Sequence, residues 1–504
     1  MKKQLLRFDK WLADAGLDSK SHQKKGLEWV LQHELAPVPM NGVRGGIIAD
    51  DMGLGKTIVM LGLIVSNFLP KTIIVLPRAL LEQWEKEIVR HFGHHPIVFH
   101  GNRLKESKYI LSKHPEKAHI VLTTYGIVQT RKDKNCPLFK IKWNRLIADE
   151  AHAMRNEKKL FKNMIKIKAD IKWMVTGTPL QNRNQDILAL YKIIGLMPAL
   201  KNMNNDELKP LQKIKTIFKQ HALRRTKESI GLKLPPCKEH TVICKWRSSE
   251  EKQLAEQIHS NMAFPNVTPK NVNRVMSLLA GNTLVWLIRM RQVCLNPLML
   301  KKTYKKLIED GIIENKDYFK NIKTQSKIQQ IVETIQSRNP KRGKIVFCHF
   351  HGEMDLLKEK LLEKKITVTI LDGRAKPDQN RFATQKVIEN KEFKLVCKKW
   401  ANCDSQIYKN IKKFMMPQVL IVQLQTASEG LNLQHFKEIY FTSPWWNPSL
   451  EAQAIARAHR IGQKDNVDVF RFIMEDFGPK TMNMDSYCAE IQKVKREMAE
   501  ELYK

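Results

Sequence analysis

Apolar positions recur along this chain in two registers. Short apolar runs bounded by turn residues alternate with longer segments whose apolar positions fall three or four apart. The runs predict strands buried on both faces, the longer segments predict amphipathic helices, and their alternation predicts parallel sheets covered by helices. The pattern occurs twice. Strands are expected at 46–49, 73–76, 97–100, 120–123, 146–148 and 173–176, and again at 344–350, 366–371, 419–424, 439–442 and 467–473. A helix is expected over 79–92, where Leu81, Trp84, Ile88 and Phe92 share one face, and others over 354–362 and 450–459. Residues 200–325 read as helical and basic, with a break at Leu234-Pro235-Pro236. The expected fold class is α/β: two parallel-sheet lobes with helical insertions. The divisions are an N-terminal extension (1–18), a first lobe (19–199), a helical insertion and connector (200–325), a second lobe (326–475) and a helical tail (476–504).

Ligands of such sheets lie beyond the carboxyl ends of the strands, and two polar constellations fall there. Gly45-Gly46-Ile47-Ile48-Ala49-Asp50-Asp51-Met52-Gly53-Leu54-Gly55-Lys56-Thr57 runs from a strand through a glycine-rich turn into a helix. Gly53 and Gly55 let backbone N–H groups approach phosphate oxygens, and the helix adds the positive end of its dipole. Lys56 is suited to the β/γ-phosphates and Thr57 to Mg²⁺; Asp50, Met52 and Leu54 complete the cradle. Asp50 stands where the strict phosphate-loop pattern has glycine. Further on, Asp149 and Glu150 end an apolar strand in Asp149-Glu150-Ala151-His152. Asp149 would hold Mg²⁺ through water, and Glu150 would polarise the attacking water.

Composition narrows the partner. Lys+Arg is 87 against Asp+Glu 51, a formal net charge of +36 spread over 504 residues, which favours a polyanion such as nucleic acid. Part of that excess lies in a basic insertion at about 385–417, where seven lysines from Lys391 to Lys413 surround Trp400; it reads as a solvated helix in preference to a DNA-contacting arm. The eight cysteines form no Cys-x-x-Cys pair, so a zinc ribbon or disulfide framework is not expected and a reducing compartment is. The amino end lacks the apolar core of a secretory signal, and the apolar stretch 58–69 is too short to span a bilayer. An intracellular protein without membrane attachment is expected.

The ordered set of motifs resembles the Swi/Snf-type helicase-like ATPases, the DNA translocases of helicase superfamily two. The resemblance runs from about Ser19 to Ile473 and implies two RecA-like lobes, ATP with Mg²⁺, and double-stranded DNA held by its backbone. Ser21 to Trp29 is similar to the family's glutamine motif, in which Gln23 would bond the adenine edge; His22 stands where tyrosine is usual. Pro77-Arg78 and Thr123-Thr124 match loops that would grip phosphates of the tracked strand through hydroxyls and backbone N–H groups. Gly177 and Thr178, in Val175-Thr176-Gly177-Thr178-Pro179, match the segment coupling hydrolysis to DNA. Leu223-Arg224-Arg225-Thr226-Lys227, followed by Leu234-Pro235-Pro236, marks this family among helicases.

In the second half, Gln453 to Gln463 resembles the arginine-finger helix. Arg457 and Arg460, three apart and so expected on one helical face, would offset transition-state charge. Ala456 replaces the usual aspartate, and Glu451 and Gln453 would orient the helix. Gln425 to Leu433, with Thr426 and Asn432, resembles the DNA-contacting and coupling loop, although Ser428-Glu429 replaces glycines there. Trp446, in Pro444-Trp445-Trp446-Asn447-Pro448, suits either packing at a turn or contact with DNA.

The resemblance implies a monomeric DNA-dependent translocase acting on duplex DNA, with nucleosomes or RNA polymerase as candidate partners. It would work in the nucleus of a cell with chromatin, or in a host cell or virion if viral. The rivals are a strand-separating helicase or transcription-release ATPase, a basic scaffold with a dead ATPase, and a phosphate-loop kinase.

Overall fold

A computed structural model describes the chain except residues 131–135, 155–157, 180–183, 202–209, 261–265, 270, 273–274, 276–282, 310, 312, 316, 372–417, 428–432, 480 and 504. The basic insertion and the Ser428–Asn432 segment lie outside the described residues. The chain divides into two compact units, Met1–Lys233 with Ala499–Lys504, and Leu234–Met498.

Among the described residues the first unit has seven strands: β1 (Arg44–Ile48), β2 (Thr72–Leu76), β3 (Ile97–Phe99), β4 (Ile120–Thr124), β5 (Trp143–Asp149), β6 (Ala169–Val175) and β7 (Ala222–Leu223). They lie in the order β3-β4-β2-β5-β6-β1-β7, all parallel. Successive residues serve opposite faces, as strand pleating requires. Ile47 packs in one layer and Ile48 in the other; Leu146 and Ala148 oppose Ile147. Helices α1 (Lys2–Asp14), α2 (Ser21–Leu35), α3 (Lys56–Ser66) and α4 (Leu81–Phe92) cover the Ile48 face. The 1–18 segment is therefore an integral layer of the first unit: Phe8, Trp11 and Leu12 are buried, and Phe8 packs so closely on Gly62 that a Cβ there would lie 2.3 Å from its ring.

The second unit holds β8 (Cys237–Cys244), β9 (Gly343–Cys348), β10 (Val368–Leu371), β11 (Val419–Gln423), β12 (Phe436–Phe441) and β13 (Val467–Met474). Their order is β10-β11-β9-β12-β13-β8, again all parallel. Ile345 and Phe347 face one layer, Val346 and Cys348 the other.

Two strands depart from expectation. β7 and β8 fall in the 200–325 stretch read as helical, and that stretch divides between the units after Lys233. β7 is two residues long and exists by pairing with β1. β8 is a mostly exposed edge strand whose Lys238, Glu239 and His240 mask any apolar alternation.

Candidate active site

β1 delivers the chain into the loop Ala49–Gly55, and α3 opens on Lys56 and Thr57. Gly53 and Gly55 have φ of 89° and 83°, a region in which a side chain is strained. Gly55 is also closely approached: a Cβ would lie 2.2 Å from Nε2 of Gln23. Gln23 and His22 are buried on α2, and both ring and amide nitrogens reach the Leu54 carbonyl, at 3.1 Å from His22 and 3.4 Å from Gln23. Burial lowers the His22 pKa, so the neutral ring donates this bond. Lys56 Nζ donates back to the loop, to the carbonyls of Asp50 (2.9 Å) and Asp51 (3.3 Å).

Asp50 does not face the cradle as a free carboxylate. It is 1 % exposed and is clamped by Arg225, whose backbone N–H and Nε each lie 3.0 Å from Oδ1 while a terminal nitrogen bonds Oδ2. Arg224 pairs with Asp51 (3.1 Å) and donates to the Ala49 carbonyl (2.7 Å). The Ala49 and Asp51 N–H groups donate to the carbonyls of Leu223 and Arg225. The strap after β7 thus fixes the start of the phosphate loop. Sequence reasoning saw Leu223–Lys227 only as a family mark, because no local periodicity links residues about 175 positions apart.

Asp149 ends β5 and is buried. Trp84 Nε1 donates to its Oδ2 (2.8 Å), and the Glu150 N–H donates to its Oδ1 (2.9 Å). Burial first, and then the neighbouring Glu150 carboxylate, push the Asp149 pKa up to about 6, against the opposing pull of Trp84 and Lys56. Glu150 occupies the left-handed region at φ 49°, a strained conformation for a side-chain-bearing residue at a functional position. Its carboxylate lies 3.2 Å from His152 Nδ1, which lies 3.2 Å from Thr176 Oγ1, and Thr176 Oγ1 accepts from the Thr178 N–H at 3.2 Å. His152 therefore bonds the candidate coupling segment through Thr176 and lies at ion-pairing distance from the acidic pair. Gly177 closes over the loop: a Cβ there would lie 2.9 Å from Met52 and 3.3 Å from Lys56 Nζ.

The expected DNA-contacting residues are less uniform. Arg78 is exposed on the turn after β2, beside half-buried Pro77. Thr123 and Thr124 are buried, and their hydroxyls turn into the protein: Thr123 donates to the Phe99 carbonyl (3.1 Å), and Thr124 Oγ1 lies 3.2 Å from His100 Nδ1 and 3.4 Å from the Ile127 N–H. The expected hydroxyl grip on phosphate is corrected accordingly, since those groups are already bonded inside the sheet. Tyr125, next in sequence, donates to the Asp149 carbonyl at 2.7 Å. Sequence reasoning placed Trp84 only on an apolar helix face and gave Tyr125 and His152 no role of their own; each meets its partner only in the folded unit.

In the second unit, the helix Pro448–Ala458 carries Arg457 in its last turn. Arg460 lies beyond the helix, in the turn closed by the Gln463 N–H to Arg460 carbonyl bond (3.0 Å). The expectation that both arginines share one helical face is corrected, because the backbone leaves the helix at His459. They remain electrostatic neighbours: burial first, then Arg457, lower the Arg460 pKa. Glu451 is buried against Arg471 (3.0 Å), and Gln453 is buried too. Thr426 falls in the one-turn helix Leu424–Ala427, and Asn432 lies outside the described residues. Trp446 is half-buried and packs on the unit's core, so packing is its observed role.

Residues 22–299, more than half the chain, match the SNF2-related domain. The chain belongs to the SNF2-related family. Residues 404–462 of this SNF2-related protein match the helicase conserved C-terminal domain, and it is thereby a helicase-like ATP hydrolase. It is 26% identical over 90% of its length to a probable global transactivator of Orgyia pseudotsugata multicapsid polyhedrosis virus, of which it covers 86%. It is 25% identical over 95% of its length to an uncharacterized ATP-dependent helicase of Mycoplasma genitalium, and 25% identical over 87% to the DNA repair protein RAD5B of Arabidopsis thaliana. It spans less than half of these two cellular relatives, 42% and 44%. Among solved structures, the Sulfolobus solfataricus SWI2/SNF2 ATPase core in complex with dsDNA is similar at 21% identity over 96% of each chain, with a TM-score of 0.39.

Proposed function

We propose that this SNF2-related ATPase couples ATP hydrolysis to translocation along duplex DNA, remodelling DNA or protein–DNA structures. The observation that carries the reading is the Lys56, Asp149 and Glu150 constellation at the strand ends of a chain in this family. Lys56 and the N–H groups around Gly53 and Gly55 hold the triphosphate. Gln23, already bonded to the loop, reports the base. Asp149 and Thr57 fit Mg²⁺, since a carboxylate and a hydroxyl are the hard oxygen donors that ion takes; when bound, the ion would offset charge on the phosphates. Glu150 accepts a proton from the attacking water, and His152 and Thr176 relay its position to Gly177 and Thr178. Arg457 and Arg460 supply positive charge to the transition state, and closing and opening around nucleotide become a step along DNA.

Arg78, the backbone N–H groups where β4 passes into the helix Tyr125–Thr130, Thr426, Asn432 and the lysine-rich surface hold the DNA backbone. Tracking is then insensitive to sequence and sensitive to salt. The motor works as a monomer, in a nucleus or an infected cell, with nucleosomes or a polymerase as obstacles. A scaffold with a dead ATPase would be expected to lack Lys56, Glu150 or Arg460, and all three are present.

The test is the ATPase rate against duplex DNA, single-stranded DNA and RNA at two salt concentrations, beside triplex-displacement and unwinding assays. Duplex DNA is expected to accelerate hydrolysis, more at low salt, and to support triplex displacement without unwinding. An equal rate with and without DNA removes the translocase reading.

A further inference from the structure

Arg291 is a buried cation of an unusual kind. It lies near the end of the helix Thr283–Leu295 and is 2 % exposed. Among the described residues no carboxylate comes within ion-pairing distance; its one hydrogen bond is a 3.5 Å contact to the Pro444 carbonyl, and its Nε has no partner. Instead the guanidinium faces aromatic rings: its central carbon lies 4.3 Å from the Trp445 ring centre, 5.4 Å from Trp446 and 5.7 Å from Phe350. A buried charge without a counter-ion is destabilising, and ring faces return only part of the loss. A methionine of similar length would fill the space without that cost. Packing alone does not account for an arginine here.

What Arg291 touches is the segment that launches the arginine helix. Trp445 and Trp446 pack against each other, 4.2 Å between ring centres. The Trp445 N–H donates to Glu451 Oε1 (3.0 Å) inside the helix Pro448–Ala458, and Asn447 caps that helix by accepting from the Ser449 N–H. Gln492 donates to the Trp445 carbonyl (2.5 Å) and to Glu451 (2.6 Å), and Lys495 to the Trp446 carbonyl (2.7 Å). The backbone of the tryptophan pair is thus tied to the helix start, while its rings are held by each other, by the Arg291 guanidinium and, for Trp445, by the His349 ring stacked 5.1 Å away.

We propose that Arg291 is a positioning residue for hydrolysis: its guanidinium, lying over the Trp445 and Trp446 rings, fixes with them the start of the helix Pro448–Ala458 and so the placement of Arg457 and Arg460. The inference rests on the role given to those two arginines under the proposed function. A planar, permanently charged group does this where lysine, a flexible point charge, would not.

The experiment compares Arg291→Met, Arg291→Lys, Trp445→Leu and the double variant Arg291→Met/Trp445→Leu with Arg460→Ala in the full chain. Melting temperature, nucleotide affinity, KM for ATP and DNA-stimulated kcat are read for each. Arg291→Met is expected to melt at or above the parent temperature and to keep KM within about twofold. Its kcat falls roughly tenfold or more, as small misplacements of transition-state groups do. Arg291→Lys does not restore kcat, and the double variant is no worse than either single one, because the pair acts as one device. A parental kcat in Arg291→Met while Arg460→Ala is inactive overturns the proposal and leaves the ATPase reading standing. So does an Arg291→Met protein that melts far below the parent, which assigns Arg291 to structure. Parental turnover in Arg460→Ala sinks the role of the arginine pair itself, and this inference with it.

Discussion

The indole N–H of Trp84 donates to Oδ2 of Asp149 across 2.8 Å, with both side chains buried. Trp84 lies one turn into α4, the helix that follows the exposed Arg78; Asp149 is the last residue of β5. A single bond thus ties the element behind a candidate DNA-contacting turn to the carboxylate that the proposed function gives to Mg²⁺. The bond also favours the ionised carboxylate in surroundings that otherwise raise its pKa.

Trp84→Phe keeps an aromatic side chain but removes the N–H donor together with part of the buried indole. One buried carboxylate oxygen then loses its partner, at a cost of about 1–3 kcal/mol. The variant is expected to unfold at lower denaturant concentration and to show a smaller rise in ATPase rate on adding DNA. Chemical denaturation and ATPase assays with and without DNA check both. Unchanged DNA stimulation would confine Trp84 to stability.

The clamp of Arg225 on Asp50 predicts strong non-additivity. Arg225→Met leaves a buried carboxylate unpaired and should cost about 3–5 kcal/mol, whereas Arg225→Met with Asp50→Asn should recover much of that loss. Equilibrium unfolding of the two singles and the double measures it. Simple addition of the single losses would mean that the pair is not coupled.

Lys56→Ala and Arg460→Ala should fail differently. The first is expected to lose nucleotide binding and turnover together; the second should bind nucleotide at near-parental affinity and hydrolyse it at least about a hundredfold more slowly, the scale on which transition-state charge acts. Fluorescent-nucleotide titration beside steady-state rates separates them. Near-normal DNA-stimulated hydrolysis in either variant removes that residue from the catalytic set.

His259 predicts acid sensitivity. Its Nδ1–H donates to the Ala255 carbonyl (2.7 Å), and its Nε2 accepts from the Met484 N–H (3.0 Å), so the buried ring is neutral. Burial lowers its pKa from 6.5 to about 4. Between those values the unfolded chain binds the extra proton and the folded protein does not. Stability therefore falls as pH drops through that window, by about 3 kcal/mol at 1.36 kcal/mol per pH unit. His259→Gln should flatten the dependence, as seen in melting curves from pH 7 to 4. A parallel decline in parent and variant would assign the acid loss to other groups.

The strands that carry the site were legible because each is buried on both faces: in β1, β2, β4 and β5 nearly every side chain is inside, so apolar runs mark them directly. The phosphate loop and the acidic pair were legible for a related reason. Their chemistry needs particular residues at adjacent positions, and adjacency is what a sequence displays. β7 and β8 were not legible, since one is two residues long and the other is an exposed edge; each is a strand by virtue of its neighbour.

The sequence alone determined the two-sheet α/β plan, the glycine-rich loop from Gly53 to Thr57, the Asp149–Glu150 pair and the family that joins them. Tertiary structure alone decided that Asp50 belongs to Arg225, that the Thr123 and Thr124 hydroxyls face inward, that Arg460 lies past the end of its helix, and that Arg291 rests on tryptophans. The physical reason is the range of the interactions. Helix and strand periods and loop chemistry are set by residues a few positions apart, whereas burial, ion pairing and ring stacking join side chains as far as 232 positions apart and exist only once the sheets have formed.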